Sequence, residues 1–490
     1  MYQKKVIHLI LTAIISLSPV LILCHSDQEG KMPVTTSSPE ALKLYTKGIN
    51  LFDNLRNQDA QEYFKQALDK DPDFALAHLN YGMTSNDLKI FFTSLNKALS
   101  LLEKISEGER LMILGIQAGA NGLLMKQREY NQQLVENYPQ DERAHYLLGN
   151  YYFFQQDFNI AIGEYRRATE INSKYPPAYN MLGYAHRQLE NFDEAEQAFK
   201  NYIKIIPDNP NPYDSYAELL MKKGEFEKSI ETYKKALKTD PHFYPSHIGI
   251  ATDLNFLNRH QEARTILQAF LQQAHTQNER RVALNAMMIS YLDESDYPRA
   301  LGITDTLLAM SIQNADTGNI AGDFETKGNI LQELGLLDDA QLNFQRSQEI
   351  IQQSNLSAEF KANIETFALY HSARINIDRN KLPEAKSKTE ELGRQAETKK
   401  NRFQIWLYHE LLGLIAMKEK NYDEALGEFR RANLQDPYNL YRMGTAYQAK
   451  GDVTQAIKFC ERVVNHHTLN SLGYSFVRHR AQALLDQMKK

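Results

Sequence analysis

The sequence predicts an all-α fold, a solenoid of stacked helical hairpins, and three observations predict it. Small residues recur at Gly149, Gly183, Ala217 and Ala251, in steps of 34. Each is followed at fixed offsets by a small residue, a bulky one and a third: Ala161, Tyr165, Ala168; Ala195, Phe199, Tyr202; Ser229, Tyr233, Ala236; and Ala263, Leu267, Phe270. Gly (23) and Pro (15) are scarce among 490 residues, which disfavours both disorder and turn-rich β folds.

The same spacing recurs outside the central block. Gly48, Ala60, Phe64 and Ala67 fit it. So do Gly328, Ala340, Phe344, Ser347; Gly413, Ala425, Phe429, Ala432; and Gly444, Ala456, Cys460, Val463. Small residues on both helices let the two approach closely, and the bulky side chain fills the space toward the next pair. Prolines punctuate many units (Pro72, Pro139, Pro207, Pro241, Pro437), three of them as Asp-Pro at 71, 240 and 436. A proline denies the residue before it helical geometry and so sets the turn into the next helix.

This pattern resembles the tetratricopeptide repeat family, whose unit is a helix-turn-helix of the same length with the same small-small-aromatic-small-Pro signature. The resemblance covers nearly all of residues 41 to 470. It implies a right-handed α-α superhelix of about 12 helical hairpins, with Ser471 to Lys490 as a C-terminal capping helix over the exposed end. Residues 41–280 read as an N-terminal array, although the units near 75 and 108 are degenerate: Gly82 and Gly115 keep their places, but Ala is lost from each second helix. Residues 281–405 read as degenerate units of wider spacing, with longer helices or turns. Residues 406–490 read as regular units and the cap.

The chain opens with an address. Lys4 and Lys5 precede an apolar run from Val6 to Leu23 that ends at Cys24. A basic start before an apolar stretch is a secretory signal. It resembles a bacterial lipoprotein signal, which implies lipidation of Cys24, but Leu23 stands where that family has Gly, Ala or Ser. Cleavage after Ser26 and an uncleaved anchor are the alternatives. All three put the body outside the cytoplasm, in the periplasm or on the membrane of a bacterial cell envelope. The segments 106–119 and 137–152 also resemble uncharacterised exported repeat proteins of bacteria. Residues 25–40, rich in Ser, Thr and Pro, read as a flexible linker.

A net charge of -5 argues against nucleic acid, which requires a basic face. The two cysteines cannot form a disulfide framework or a four-ligand zinc site by themselves. In the family, positions 2, 5, 9 and 12 of each unit point into the concave face. Carried over, the resemblance implies a peptide-binding groove of Arg143, Tyr146, Asn150 and Phe153, then Pro177, Asn180, Tyr184 and Arg187, then Asn211, Asp214, Glu218 and Met221, then Pro245, Ile248, Thr252 and Asn255. The candidates are Tyr146, Asn150, Phe153, Asn180, Tyr184, Arg187, Asp214, Glu218 and Asn255. Some relatives grip a terminal carboxylate with Lys and Asn. Here the Lys position is Tyr146, although Asn150 is kept, so a neutral or zwitterionic extended segment is the expected occupant.

Catalytic motifs fail on inspection. His409-Glu410 starts a zinc-protease motif, but Gly413 stands where the second histidine belongs. Ser94-Leu95-Asn96-Lys97 is a chance four-residue pattern within a second helix. His466 and His467 are adjacent and face different directions on a helix, and His242 and His247 have no nearby carboxylate or thiol to complete a site. No enzyme activity, metal or cofactor is expected. The sequence reads as a non-catalytic scaffold that binds an unidentified protein or peptide, with recognition of glycans or nutrient polymers as the alternative.

Overall fold

The structure, a computed structural model, describes residues 30–85 and 87–490, together with the backbone of Leu23 and Cys24. The remainder of the expected leader and the side chain of Cys24 lie outside the described residues. Leu23–Cys24 (β1) pairs antiparallel with Val34–Thr35 (β2). After Ser38 the described residues form helical hairpins and one last helix.

The first three hairpins are α1 (Pro39–Asp53) with α2 (Asn57–Lys70), α3 (Ala75–Met83) with α4 (Leu88–Leu99), and α5 (Glu107–Ala120) with α6 (Leu124–Asn137). The regular block comprises α7 (Glu142–Phe154) with α8 (Phe158–Ile171), α9 (Pro176–Gln188) with α10 (Phe192–Ile205), α11 (Asn211–Lys222) with α12 (Phe226–Thr239), and α13 (Tyr244–Phe256) with α14 (His260–Gln273). Longer hairpins follow: α15 (Gln277–Asp293) with α16 (Tyr297–Gln313), α17 (Thr317–Glu333) with α18 (Leu337–Gln353), and α19 (Ala358–Asp378) with α20 (Leu382–Lys399). Then come α21 (Arg402–Lys418) with α22 (Tyr422–Arg431), α23 (Pro437–Lys450) with α24 (Val453–Val464), and a last helix, α25 (Leu472–Met488). The architecture is therefore an all-α solenoid of hairpins. The wider spacing after 281 comes from the helices: α15 to α18 are 17 residues each and α19 is 21, against 12 to 14 in the regular block.

The turns inside the hairpins, that of α3 with α4 aside, are made the same way. One residue takes the left-handed conformation, and the N–H of the next bonds back to a carbonyl five residues earlier. Gln156 has φ 60°, and Asp157 N–H then reaches Tyr152 O; Glu190 has φ 59°, and Asn191 N–H reaches His186 O. This closure satisfies carbonyls left open at the helix end and reverses the chain in three residues. Several turns between hairpins use side-chain capping, although those before α17 and α21 also carry the left-handed closure. Asp436 accepts from Tyr438 N–H, and Pro437 opens α23 at its first position, where a missing N–H costs nothing.

The spacing read from sequence has a steric cause. In five hairpins the aromatic ring of the second helix lies on the glycine of the first, sixteen positions earlier. A Cβ on Gly149 would stand 2.6 Å from the Tyr165 ring, and one on Gly413 would stand 2.4 Å from the Phe429 ring. Ala217 breaks the rule and Tyr233 adapts: its ring sits instead against Gly249 of α13, where a Cβ would be 2.1 Å away.

The array returns on itself. Gln156 bonds Asn433 at 3.0 Å and Asp157 pairs with Arg402 at 2.8 Å, joining the fourth hairpin to the eleventh and twelfth. Asn121 accepts from Ser357 at 2.7 Å, and the Phe92 and Phe360 rings meet at 5.5 Å. Hairpins about seven apart thus touch, which is what one full superhelical turn stacked on the next produces.

Residues 30–38, expected within a flexible linker, are instead bound. They run extended across the starts of three successive hairpins. Ser37 N–H reaches Asp71 at 2.8 Å, Thr35 N–H reaches Glu109 at 2.9 Å, and Met32 N–H reaches Asp141 at 2.9 Å. Side chains add Thr36 to Asp71, Thr35 to Glu109 and Lys31 to Glu142. A Ser/Thr-rich stretch has no apolar period to announce this, because its bonds are made by backbone N–H groups and hydroxyls to distant carboxylates.

Candidate functional site

Odd-numbered helices pack on their odd neighbours (α7 on α9, α9 on α11, α11 on α13, α13 on α15), and no even-numbered pair makes comparable contact. The first helices therefore form the inner layer, at smaller radius. The nine candidate residues lie on α7, α9, α11 and α13 of that layer.

Three of them are engaged with one another. The Tyr184 hydroxyl lies 3.0 Å from Glu218 and 3.2 Å from Ser215, Arg187 pairs with Glu218 at 2.8 Å, and its guanidinium covers the Tyr184 ring at 4.6 Å. Burial works against the Arg187 charge, and Glu218 outweighs it, so the arginine stays firmly protonated. Asp214 accepts from Ser246 at 2.7 Å; its burial and the charge on Glu218 push its carboxyl well above the usual range. Asn180 is buried, and its Oδ1 has no partner among the described residues.

The others do different work. Tyr146 packs edge-on against Tyr175, and burial raises its hydroxyl pKa. Asn150 accepts from Tyr165 at 2.8 Å, which fixes that core ring. Phe153 packs on Phe154 and Phe158 near the hairpin turn. Asn255 is buried and accepts from Ser290 at 2.8 Å. Among the nine, Tyr184, Arg187 and Glu218 form one hydrogen-bonded polar group, and the Asp214 carboxyl lies close enough to feel the Glu218 charge.

A second inner cluster escaped the sequence reading. Glu410 lies between Arg442 at 2.7 Å, Asn439 at 3.3 Å and the Tyr370 hydroxyl. Burial alone would raise its carboxyl, but Arg442 and Tyr370 outweigh it and hold it low. Arg442 covers the Tyr438 ring at 4.4 Å and Arg374 covers Tyr370 at 5.3 Å. Glu410 sits three residues before Gly413, the relation Asn180 has to Gly183, so the repeat register alone could have located it. Tyr370 and Arg374 fall on the lengthened α19, where that register is lost.

The discarded motifs have structural explanations. His409 bonds Glu428 at 2.6 Å while Glu410 turns to Arg442, so the two serve different neighbours. Lys97 pairs with Asp73, and Ser94 is buried beneath Gly82. Among the described residues, one His/Asp group has ligand atoms within 4.8 Å of one another: His260, Asp293 and His479. The Arg478 guanidinium already lies among them, 3.0 Å from both Asp293 Oδ1 and His479 Nε2. A metal ion would have to displace that cation.

Residues 45–89, 146–210, 211–243 and 438–468 each match a tetratricopeptide repeat model. These segments are tetratricopeptide repeats. The array is similar to the small glutamine-rich tetratricopeptide repeat-containing protein 2 of Mycosarcoma maydis, at 28% identity over 93 residues, 19% of this chain and 26% of that protein. It is likewise similar to the BBSome complex member BBS4 of Bos taurus, at 28% identity over 125 residues, 26% of this chain and 22% of that one. The chain thus spans about a quarter of the curated relatives it matches. A tetratricopeptide repeat protein structure from Parabacteroides merdae aligns over 54% of this chain and 99% of its own, at 13% identity and a TM-score of 0.36.

Proposed function

We propose that this tetratricopeptide array is a non-catalytic scaffold of the cell envelope that binds an extended protein or peptide segment on the inner face of hairpins four to seven. The observation that carries the reading is the polar group on α9 and α11. Tyr184, Arg187 and Glu218 hold one another in place, and beside them the buried Asn180 oxygen has no partner among the described residues. A buried acceptor without a partner is costly, and a small opening of the face around Asn180 would let a peptide N–H satisfy it. The side chains are ordered before a ligand arrives, which lowers the entropy cost of binding. The envelope setting rests on Lys4, Lys5 and the apolar run to Cys24.

Glycan recognition is the weaker alternative. Sugar stacking needs an open aromatic face, and guanidinium groups cover Tyr184, Tyr370 and Tyr438.

The test is affinity capture from the native envelope with the wild-type chain and with Asn180→Ala/Tyr184→Ala. The expected result is loss of the captured partner at unchanged helical circular dichroism. Retention of the same partner by the folded double variant would overturn the assignment of this face. Fractionation of wild type and Cys24→Ser tests the anchor: the wild type is expected with membranes and the variant in the soluble exported fraction.

A further inference from the structure

Helix α25 does more than cap the array. Tyr474, Ser475, Phe476 and Val477 are four consecutive buried residues, which sweep most of the helix circumference. A helix covered on one face alone cannot bury four in a row. One side of α25 packs on α23 and α24, as the next helix in a solenoid does, and another side packs on α15, four hairpins back in the array.

That second contact is specific. Arg478 Nε bonds Asp293 Oδ1 at 3.0 Å, a second nitrogen reaches Oδ2, and Nη2 also reaches the Asn255 carbonyl at 3.2 Å. Arg480, pointing another way, pairs with Glu333 at 2.8 Å. Tyr474 packs on Phe256 at 5.7 Å. The C-terminal ends of α13, α15 and α17 therefore make a cradle with two largely buried carboxylates, and each takes an arginine from the seated helix. The tether to α24 carries two left-handed residues, His467 (φ 46°) and Asn470 (φ 44°), and is held by the bond from Lys222 Nζ to the His466 carbonyl at 2.7 Å.

We propose that this cradle is a docking surface for an amphipathic, arginine-bearing helix of a partner protein, and that α25 is its resident occupant in cis. The proposal rests on the scaffold reading but uses a different face from Asn180 and Tyr184. The chemistry of the ligand is read from the occupant: one arginine that forks onto Asp293, a second that reaches Glu333, and an aromatic ring one turn before the first. A partner helix of that pattern takes the place of α25 and leaves neither carboxylate unpaired.

The experiment uses the full chain and a labelled peptide of residues 470–490, followed by fluorescence anisotropy. The wild-type chain is expected to bind weakly, because its own α25 competes. Arg478→Ala in the chain weakens that competitor and is expected to tighten peptide binding at least tenfold. On this variant, a peptide carrying Arg478→Ala is expected to bind at least tenfold more weakly than the native peptide. Adding Asp293→Asn to the chain is expected to abolish that difference. Hydrogen exchange of the wild-type chain is expected to show α25 opening faster than α24. Circular dichroism checks folding, and Arg478→Lys, which keeps charge but loses the fork, replaces Arg478→Ala if that variant unfolds. The proposal is overturned if the peptide binds neither folded chain, if α25 is protected as fully as α24, or if the variant forms dimers without taking up peptide. Loss of capture in the Asn180/Tyr184 experiment leaves all of these outcomes unaffected.

Discussion

Phe199 lies against the bare Cα of Gly183, so close that a Cβ there would stand 2.5 Å from the ring. The same contact joins Gly48 to Phe64 and Gly328 to Phe344. It explains why the repeat needs a small residue at one point of the first helix: two helices meet with a ring sandwiched between them, and no space remains for a side chain.

Gly183→Val is accordingly expected to overpack the fifth hairpin and cost about 1–3 kcal/mol, read as a lower melting temperature. Gly163, within α8, is the control. A Cβ there meets nothing within 4 Å. Gly163→Ala gains helix propensity without a clash and is expected to stabilise by roughly 0.5–1 kcal/mol. Equal effects of the two substitutions would mean that the register of the ring contact is wrong.

Arg187 and Glu218 are largely buried, with side chains 16% and 13% exposed. Arg187→Ala leaves the Glu218 charge unpaired and is expected to destabilise on the order of 3 kcal/mol. Arg187→Ala/Glu218→Gln removes both charges and should recover part of that loss. Denaturation of the four members of the cycle measures the coupling. A double variant as unstable as the sum of the singles would mean that the pair is solvated and plays no organising role.

How much of this was legible in the sequence depends on how local each determinant is. The contact of Phe199 with Gly183 is internal to one hairpin, so spacing along the chain reveals it. The left-handed residue of each turn is often Gln156 or Glu190 rather than glycine, so its turns are silent in composition. Asn180, Asp214 and Glu410 share one repeat position, and register suffices to place all three. Tyr370 and Arg374 could not be placed that way, because α19 gains residues within the helix. Arg478 and Asp293 are far apart in sequence and on different hairpins. Their pairing exists only because the superhelix brings the C-terminal helix across the middle hairpins, and nothing local encodes it.

Asp253 on α13 predicts a pH dependence. It is completely buried with neither oxygen partnered among the described residues, since nearby Ser229 donates instead to Ala217 O at 2.8 Å. Burial pushes its carboxyl up to about 8. The folded state therefore holds a proton that the unfolded chain releases near the ordinary value of 3.8. Stability from this group is greatest at acid pH and falls as pH rises between those values, by up to ~1.4 kcal/mol per unit. Asp253→Asn is expected to flatten that slope and to melt higher than wild type at pH 8.5. A wild-type melting temperature that rises from pH 5 to pH 8.5, with Asp253→Asn following it, would mean that this carboxyl ionises freely.

The extended strap at residues 30–38 gives the last prediction. Glu109 is fully buried and serves two partners at once. It closes the start of α5 through Ser106, and it receives both the N–H and the hydroxyl of Thr35. Glu109→Ala leaves a buried N–H unpaired and removes half of a capping pair, an expected cost of about 1–3 kcal/mol. Because the strap crosses three hairpins, releasing its middle should free its start as well. Trypsin cleavage after Lys31, whose ammonium is tied to Glu142, is then expected to be at least tenfold faster in the variant. Acid should act in the same direction through Asp71. Burial alone would raise the Asp71 pKa, but the hydroxyl of Thr36 and the N–H of Ser37 outweigh it and hold it below its usual 3.8. Its contribution is complete above that value and is lost as pH falls through the lowered one. If cleavage after Lys31 is as fast in the wild type as in Glu109→Ala, the strap is not held by these carboxylates in solution.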